Sequence, residues 1–242
     1  MPDTRTHRGP HPEDARLFGL AALPLLRQAM ADLCWLLNRQ YALRSALKLV
    51  GDRYQLEARQ RTALERAACS DAALARRRAH QVAAVELAGQ EVLADGYNVL
   101  TTIEAALAGG VILAARDGTY RDMASMHGSY RKVAETRQAL QLLGKMAQTC
   151  PASAWVWYLD RPVSNSGRLK TIMDQMAAEG RWPWRTELVQ NPDPLLAAAD
   201  QIVITADSAI LDRCLRWFNL AREVVSHHIP AARVVDLTDS AG

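Results

Sequence analysis

The feature that most constrains the fold is a change of hydrophobic period near residue 90. Before it, from about Leu23 to Val82, apolar residues recur at helical spacing: Leu33, Leu36, Leu37 and Tyr41, then Leu43, Ala46, Leu47 and Val50, then Leu56, Ala63, Leu64 and Ala67. Gly51 reads as a break between two of these helices. After it, short apolar segments alternate with helical ones: VLA at 92–94, WVWYL at 155–159, QIVIT at 201–205 and RVVDL at 233–237, with TELVQ at 186–190 as a candidate fifth. That rhythm predicts an α/β fold, a parallel sheet with helices on both faces, preceded by an all-α N-terminal domain. The expected boundaries are a mobile arm at 1–12, a helical domain at 13–88 and the α/β domain at 89–242. Ser166 and Gly167 can open a helix carrying Leu169, Ile172, Met173 and Met176, which Gly180 can close. GGVILAARDGTYRD, at 109–122, falls outside the rhythm and reads as a hairpin or an inserted loop.

A chain of 242 residues that is 49% hydrophobic can bury a sizeable core. No apolar run approaches the roughly 20 residues that span a bilayer, and MPDTRTHRGPHPEDARL lacks the apolar centre of a secretory signal, so a cytoplasmic location without a membrane partner is expected. Four cysteines, Cys34, Cys69, Cys150 and Cys214, form no CxxC pair and suggest neither a zinc knuckle nor a redox pair. Charge is divided unevenly. Residues 1–90 carry 14 Lys and Arg against 9 Asp and Glu, residues 91–242 carry 15 against 17. A basic half beside an acidic half fits one part that grips a polyanion and another that gathers carboxylates.

Each strand segment that is placed firmly ends in an acid. Asp95 follows VLA, Asp160 follows WVWYL, and Asp207 stands two residues after QIVIT. In a parallel sheet those ends share one edge, where ligands of open α/β folds bind. Taken singly, each acid can be a helix cap at a strand-to-helix turn, as can Asn98. Taken together, carboxylates without matched lysines repel one another, and a divalent cation neutralises them; oxygen ligands suit Mg²⁺ or Mn²⁺.

DGYN after the first strand, YLDRPVSNSG after the second and TADSAILD after a later one resemble the NYN branch of the PIN-like ribonucleases over roughly residues 90–238. Nearly the whole chain is also similar to an uncharacterised family in which a helical N-terminal domain precedes a PIN-like domain. The resemblance implies a PIN-like domain at 89–242 and metal binding by Asp95 and Asp207, with Asp160 as the acid of the second strand end and Asn98 as the amide that orders the site. It implies one more acid before the later strand. Asp193 in NPDPLLAAAD is the candidate, and Pro194 behind it equally suits Asp193 as a helix N-cap. Asp200 comes one turn too late for that role, and Asp212 is expected to pair with Arg216.

Candidate phosphate contacts are Arg121, His127, Arg131 and Lys132 in the 109–132 segment, Ser164, Asn165 and Ser166 at a helix start beside Asp160, and Ser208 beside Asp207. Arg59, Arg61, Arg76, Arg77 and Arg78 are candidates for nucleic-acid binding by the helical domain; the competing reading is a solvated face carrying a Glu57–Arg61 pair. Of the six tryptophans, Trp155 and Trp157 read as core and Trp182 and Trp184 as more exposed, open to stacking on a base. The expected function is a metal-dependent nuclease using Mg²⁺ or Mn²⁺ on RNA in preference to DNA, with an oligomer allowed. The alternative is a non-catalytic RNA-binding or adaptor protein on the same fold. A haloacid-dehalogenase-type phosphatase needs a second aspartate two positions after Asp95, where this chain has Tyr97.

Overall fold

The computed structural model describes residues 8–124, 130 and 133–238; of the expected phosphate contacts, His127, Arg131 and Lys132 lie outside the described residues. Five helices come first: α1 (Asp14–Leu17), α2 (Leu23–Asn38), α3 (Leu43–Arg53), α4 (Ala58–Ala67) and α5 (Asp71–His80). The remainder runs β1 (Glu91–Asp95), α6 (Gly96–Leu107), β2 (Val111–Ala114), β3 (Tyr120–Asp122), α7 (Thr136–Thr149), β4 (Ala154–Asp160), α8 (Ser166–Gly180), β5 (Trp184–Val189), α9 (Pro192–Ala197), β6 (Ile202–Ile204), α10 (Ser208–Leu211), α11 (Leu220–His228) and β7 (Arg233–Asp236). Among the described residues no helix is long and apolar enough to cross a membrane.

β5, β4, β1 and β6 form, in that order, a four-stranded sheet whose pairings are all parallel. β4, β1 and β6 are largely buried on both faces, which is why they read as continuous apolar runs, whereas the edge strand β5 is partly exposed. Val92, Ala94, Trp155, Trp157, Ile202 and Ile204 turn to one side and pack with residues of α6, α7, α8 and α11. The alternate residues Leu93, Val156 and Val203 turn to the other and meet Leu196 of α9, Ile210 and Leu211 of α10, and Trp217. Helices therefore flank the sheet on both faces, as the alternation predicts.

The last predicted strand belongs elsewhere. RVVDL forms β7, which pairs with β2 in parallel, and β2 pairs with β3 antiparallel across the 115–119 turn to make a second, three-stranded sheet. The GGVILAARDGTYRD segment is thus a hairpin. One face of this small sheet supplies Val111, Leu113 and Val235 to the core of the N-terminal helices, alongside Leu26, Leu33 and Leu64. Ile112 of the opposite face joins the core of the large sheet. Helices and α/β layers are joined through shared apolar surface, with the small sheet between them.

Three local expectations change. Gly51 lies inside α3 rather than between helices; a Cβ there would collide with the Arg61 guanidinium, so its smallness seats that side chain. Trp182 is not a free stacking surface. It packs edge-on against Trp184 at 4.6 Å, and Cβ atoms at Gly144 and Gly180 would strike its ring. Within the segment expected to be mobile, Arg8 is buried and ion-paired to Glu104, which Tyr130 and Thr136 also hydrogen-bond. A guanidinium is driven into an apolar interior only where a carboxylate awaits it.

Candidate metal and nuclease site

Strand order places the site. The chain moves outward from β1 to β4 to β5, then crosses back to lay β6 on the opposite side of β1, so the order reverses between β1 and β6. Crevices at such reversals open beyond the carboxyl ends of the strands. Asp95 closes β1, Asp160 closes β4, Asp193 follows β5, and Asp207 follows β6. All four line one cleft of about 900 Å³ between this sheet edge and the N-terminal helices.

The sequence D-G-Y-N at the end of β1 now has a local explanation. α6 starts so close to β4 that a Cβ on residue 96 would lie 2.6 Å from the Leu159 side chain and 2.7 Å from the Tyr158 carbonyl oxygen, so only glycine fits. Asp95 caps α6 through the Asn98 N–H at 3.4 Å, and Thr205 Oγ1 donates to its other oxygen at 3.0 Å. The same Thr205 oxygen accepts the Asp207 N–H at 3.0 Å, which ties the Asp95 carboxylate to the Asp207 backbone across the crevice. Asn98 Oδ1 accepts the Ala206 N–H at 2.7 Å, leaving its amide NH₂ turned away from that bond. Asp207 caps α10 through the N–H groups of Ala209 and Ile210 at 2.8 and 3.2 Å.

Capping and site lining therefore coexist at Asp95 and Asp207, whereas Asp193 is not a cap. Asn191 caps α9, accepting the Asp193 N–H at 3.2 Å with Pro192 in the first turn, because the repeated proline of NPDP allows two registers two residues apart. The Asp193 carboxylate is left for the cleft. Among the described residues none of the four acids forms an ion pair with Lys or Arg.

Their ionisation reflects that isolation. Burial leaves Asp95 only 7% exposed and pushes its carboxyl up to about 7; Thr205 and the Asn98 N–H oppose the rise, while Asp207 and Asp193 add to it. Asp160 is raised by burial and then by Asp193, and Asp193 by burial and then by Asp207. Tyr97 lines the same cleft, its hydroxyl raised by burial and then by Asp160. Among the described residues no three histidine, cysteine or acidic side chains converge as a ready metal-binding group.

Most of the expected phosphate-binding groups are engaged elsewhere. Arg121 is buried, donating to the Ala206 carbonyl at 2.7 Å, to the Arg66 carbonyl and to Asp117 at 2.6 Å, so it braces the loop that leads to Asp207. Asn165 donates to the Tyr130 carbonyl, Ser164 accepts from the Tyr130 N–H through its own carbonyl, and buried Ser166 donates to the Arg161 carbonyl. These three order the start of α8 and do not line the cleft. Ser208 does line it, within reach of Arg77 Nη1 at 3.4 Å.

The helical arginines are equally committed. Arg59 pairs with the fully buried Asp14, Arg61 with Asp52 and the Leu56 carbonyl, and Arg77, 3% exposed, with Asp117 and Asp212. Asp212 thus pairs with Arg77 instead of Arg216, and Arg61 with Asp52 instead of Glu57, because the folded chain brings these partners closer than the helical neighbours. Arg76 and Arg78 are exposed, with Arg76 touching the Arg213 carbonyl at 3.3 Å. The sequence reading missed Thr205, although a hydroxyl directly after an apolar strand and two residues before an acid is a usable signal. It also missed Asp122, a further acid of the cleft, held by the hydroxyls of Thr101 and Thr102 at 3.2 and 3.0 Å and by the Ala124 N–H at 2.7 Å.

Residues 84–223 match the family model described as Domain of unknown function (DUF5616), and residues 25–80 match one described as Protein of unknown function (DUF434). An uncharacterized protein of Methanocaldococcus jannaschii is 31% identical over 190 residues, covering 77% of this chain and 88% of that one. No solved structure matches the chain.

Proposed function

From the premise that the chain belongs to the family described as Domain of unknown function (DUF5616), whose description names no reaction, we propose on the site alone that it is a metal-dependent nuclease with a PIN-like α/β domain, acting on RNA. The observation that carries the reading is the set of four aspartates at one parallel-sheet edge, without a lysine or arginine partner among the described residues, in a cleft that the N-terminal helices wall on the far side. The donor set is all oxygen, which fits Mg²⁺ or Mn²⁺. Mg²⁺ in particular keeps several waters and takes one or two direct carboxylates, so a three-carboxylate cage is not required. Asp95 and Asp207, on the two sides of the crevice, would hold the ion, with Asp160 and Asp193 as the further acids. A divalent cation bound there supplies an activated water and offsets charge that builds on a phosphodiester.

The chain's own contribution is positioning. Thr205 fixes one oxygen of Asp95, while Asn98 and Arg121 grip the two backbone groups of Ala206 and so set the loop that presents Asp207. The test is single-turnover cleavage of single-stranded RNA and DNA oligonucleotides with and without Mn²⁺. The wild type is expected to cleave RNA only with the metal, and Asp207→Asn to retain binding while cleavage drops by at least about 100-fold. Absence of metal-dependent cleavage, or equal cleavage by both proteins, removes the proposal.

A further inference from the structure

The arginines that line the cleft raise a question about the substrate. Arg66 donates to the carbonyls of Asp122 and Ala124, Arg77 is bound by Asp117 and Asp212, and Arg121 by Asp117 and two carbonyls. Arg77 and Arg121 are bound at all three nitrogens and Arg66 at its two terminal ones, so among the described residues the cleft offers an incoming phosphate no guanidinium without a protein partner. Neutral donors are then open to its non-bridging oxygens. The threonine hydroxyls of the cleft are also committed: Thr101 and Thr102 each share a single proton between Asp122 and a backbone carbonyl of α6.

Tyr97 is different. It is 3% exposed, it lines the cleft beside Asp160, and among the described residues its buried hydroxyl has no hydrogen-bond partner. Its ring is held by Tyr130, centroids 5.4 Å apart, and by the core of the large sheet. A buried hydroxyl without a partner costs stability. Of the buried side-chain atoms without a partner among the described residues, which include the indole nitrogens of Trp155 and Trp157, that of Tyr97 belongs to a residue lining the cleft, where a ligand can complete it.

We propose that the Tyr97 hydroxyl is the donor that receives a non-bridging oxygen of the substrate phosphate. Its ring is fixed before the ligand arrives, so the groups that cover the hydroxyl are what must move to admit a ligand oxygen, and a neutral donor can stand beside the carboxylates of the cleft without forming the ion pair that would quench them. The inference rests on the nuclease reading for the identity of the substrate, and on Tyr97 alone for the contact.

The experiment compares the full-length wild type with Tyr97→Phe in three measurements. Without ligand, Tyr97→Phe should melt at the wild-type temperature or above it, since it removes an unsatisfied buried group. With Mg²⁺ present, inorganic phosphate should raise the melting temperature of the wild type and not that of the variant. Single-turnover cleavage of a single-stranded RNA oligonucleotide should fall roughly 100-fold in the variant. If neither protein cleaves RNA yet the phosphate response is present in the wild type and lost in Tyr97→Phe, the nuclease reading falls and the contact stands. If RNA is cleaved and Tyr97→Phe matches the wild type in both rate and phosphate response, the contact falls and the nuclease reading stands. A wild type that gains no stability from phosphate, or a variant that melts well below the wild type without ligand, overturns the contact as well.

Discussion

Asp95 and Asp117 are both buried aspartates that accept a threonine hydroxyl, from Thr205 at 3.0 Å and from Thr119 at 2.7 Å, yet folding moves their carboxyls in opposite directions. Burial works against the charged form at both. At Asp117 it is outweighed by Arg121, by Thr119 and by Arg77, and the carboxyl ends below its ordinary value. At Asp95 burial outweighs Thr205 and the Asn98 N–H, Asp207 and Asp193 add to the rise, and the carboxyl ends at about 7. The chain has arginines within the same cleft and pairs them with Asp117, Asp122 and Asp212, while among the described residues the four strand-end acids have none. The difference separates acids that hold the helices and the small sheet together from acids that no Lys or Arg pairs among the described residues.

The largest effect that could break the comparison is on stability. Asp117→Ala removes the carboxylate shared by two guanidinium groups that are almost fully buried, leaving Arg121 with carbonyls alone, and should cost about 3–5 kcal/mol in chemical denaturation. Asp95→Asn, measured without metal at pH 8, should leave stability unchanged or raise it, because it removes repulsion among carboxylates. If Asp117→Ala proves nearly neutral, or if Asp95→Asn destabilises as much, the two aspartates do the same work and the contrast is empty.

The next effect is the slope of stability with pH. Folding raises Asp95 from 3.8 to about 7, so the folded state holds its proton more tightly; that contribution is whole below about pH 4 and is lost as pH rises through about 7. Without metal, Asp95 alone should remove on the order of 2–4 kcal/mol across this window, and Asp95→Asn should flatten the curve there. Asp117 has the reverse sign. Its lowered carboxyl contributes stability above its unfolded value that is lost as pH falls through its folded one, so Asp117→Ala should blunt the acid limb instead. Urea melts from pH 3 to 8 on the three proteins check both limbs, and identical curves for Asp95→Asn and wild type would contradict the assignment.

The smallest effect concerns the helical arginines. Arg78→Ala, at an exposed position, should stay within about 0.5 kcal/mol of the wild type, whereas Arg77→Ala, losing Asp117 and Asp212 together, should fall in the same range as Asp117→Ala. If Arg76 and Arg78 contact phosphates, replacing both should reduce the slope of log K against log salt by roughly 0.7 to 0.9 for each contact in a salt titration of RNA binding.

Much of the large sheet was legible because its signal is local. VLA, WVWYL and QIVIT announce themselves as apolar runs, and parallel pairing then puts Asp95, Asp160 and Asp207 at one edge without further information. The limits of α8, Ser166 to Gly180, were legible from its flanking residues for the same reason. β7 was not, since an apolar run does not reveal which sheet it joins; that depended on β2, whose own segment broke the rhythm. The arginines were misjudged because their partners are remote in sequence. Arg77 lies 40 residues from Asp117 and 135 from Asp212, and Arg59 lies 45 from Asp14. Rules for helical neighbours three and four residues apart cannot see such pairs, so they assigned Arg61 to Glu57 and Asp212 to Arg216. At Asp193 the ambiguity was one of register, and only the folded α9 shows that Asn191 takes the cap.

The most direct test of the central claim, that the strand-end acids await a divalent cation, is thermal unfolding of the wild type, Asp95→Asn and Asp117→Asn with increasing Mn²⁺. A ligand that binds only the folded state stabilises it by about 2.7 kcal/mol at 100 times its Kd. The account predicts that Mn²⁺ raises the melting temperature of the wild type, that Asp117→Asn starts lower yet keeps the increment, and that Asp95→Asn starts no lower and loses most of it. An increment of the same size in Asp95→Asn as in the wild type, or none in the wild type, would contradict the account.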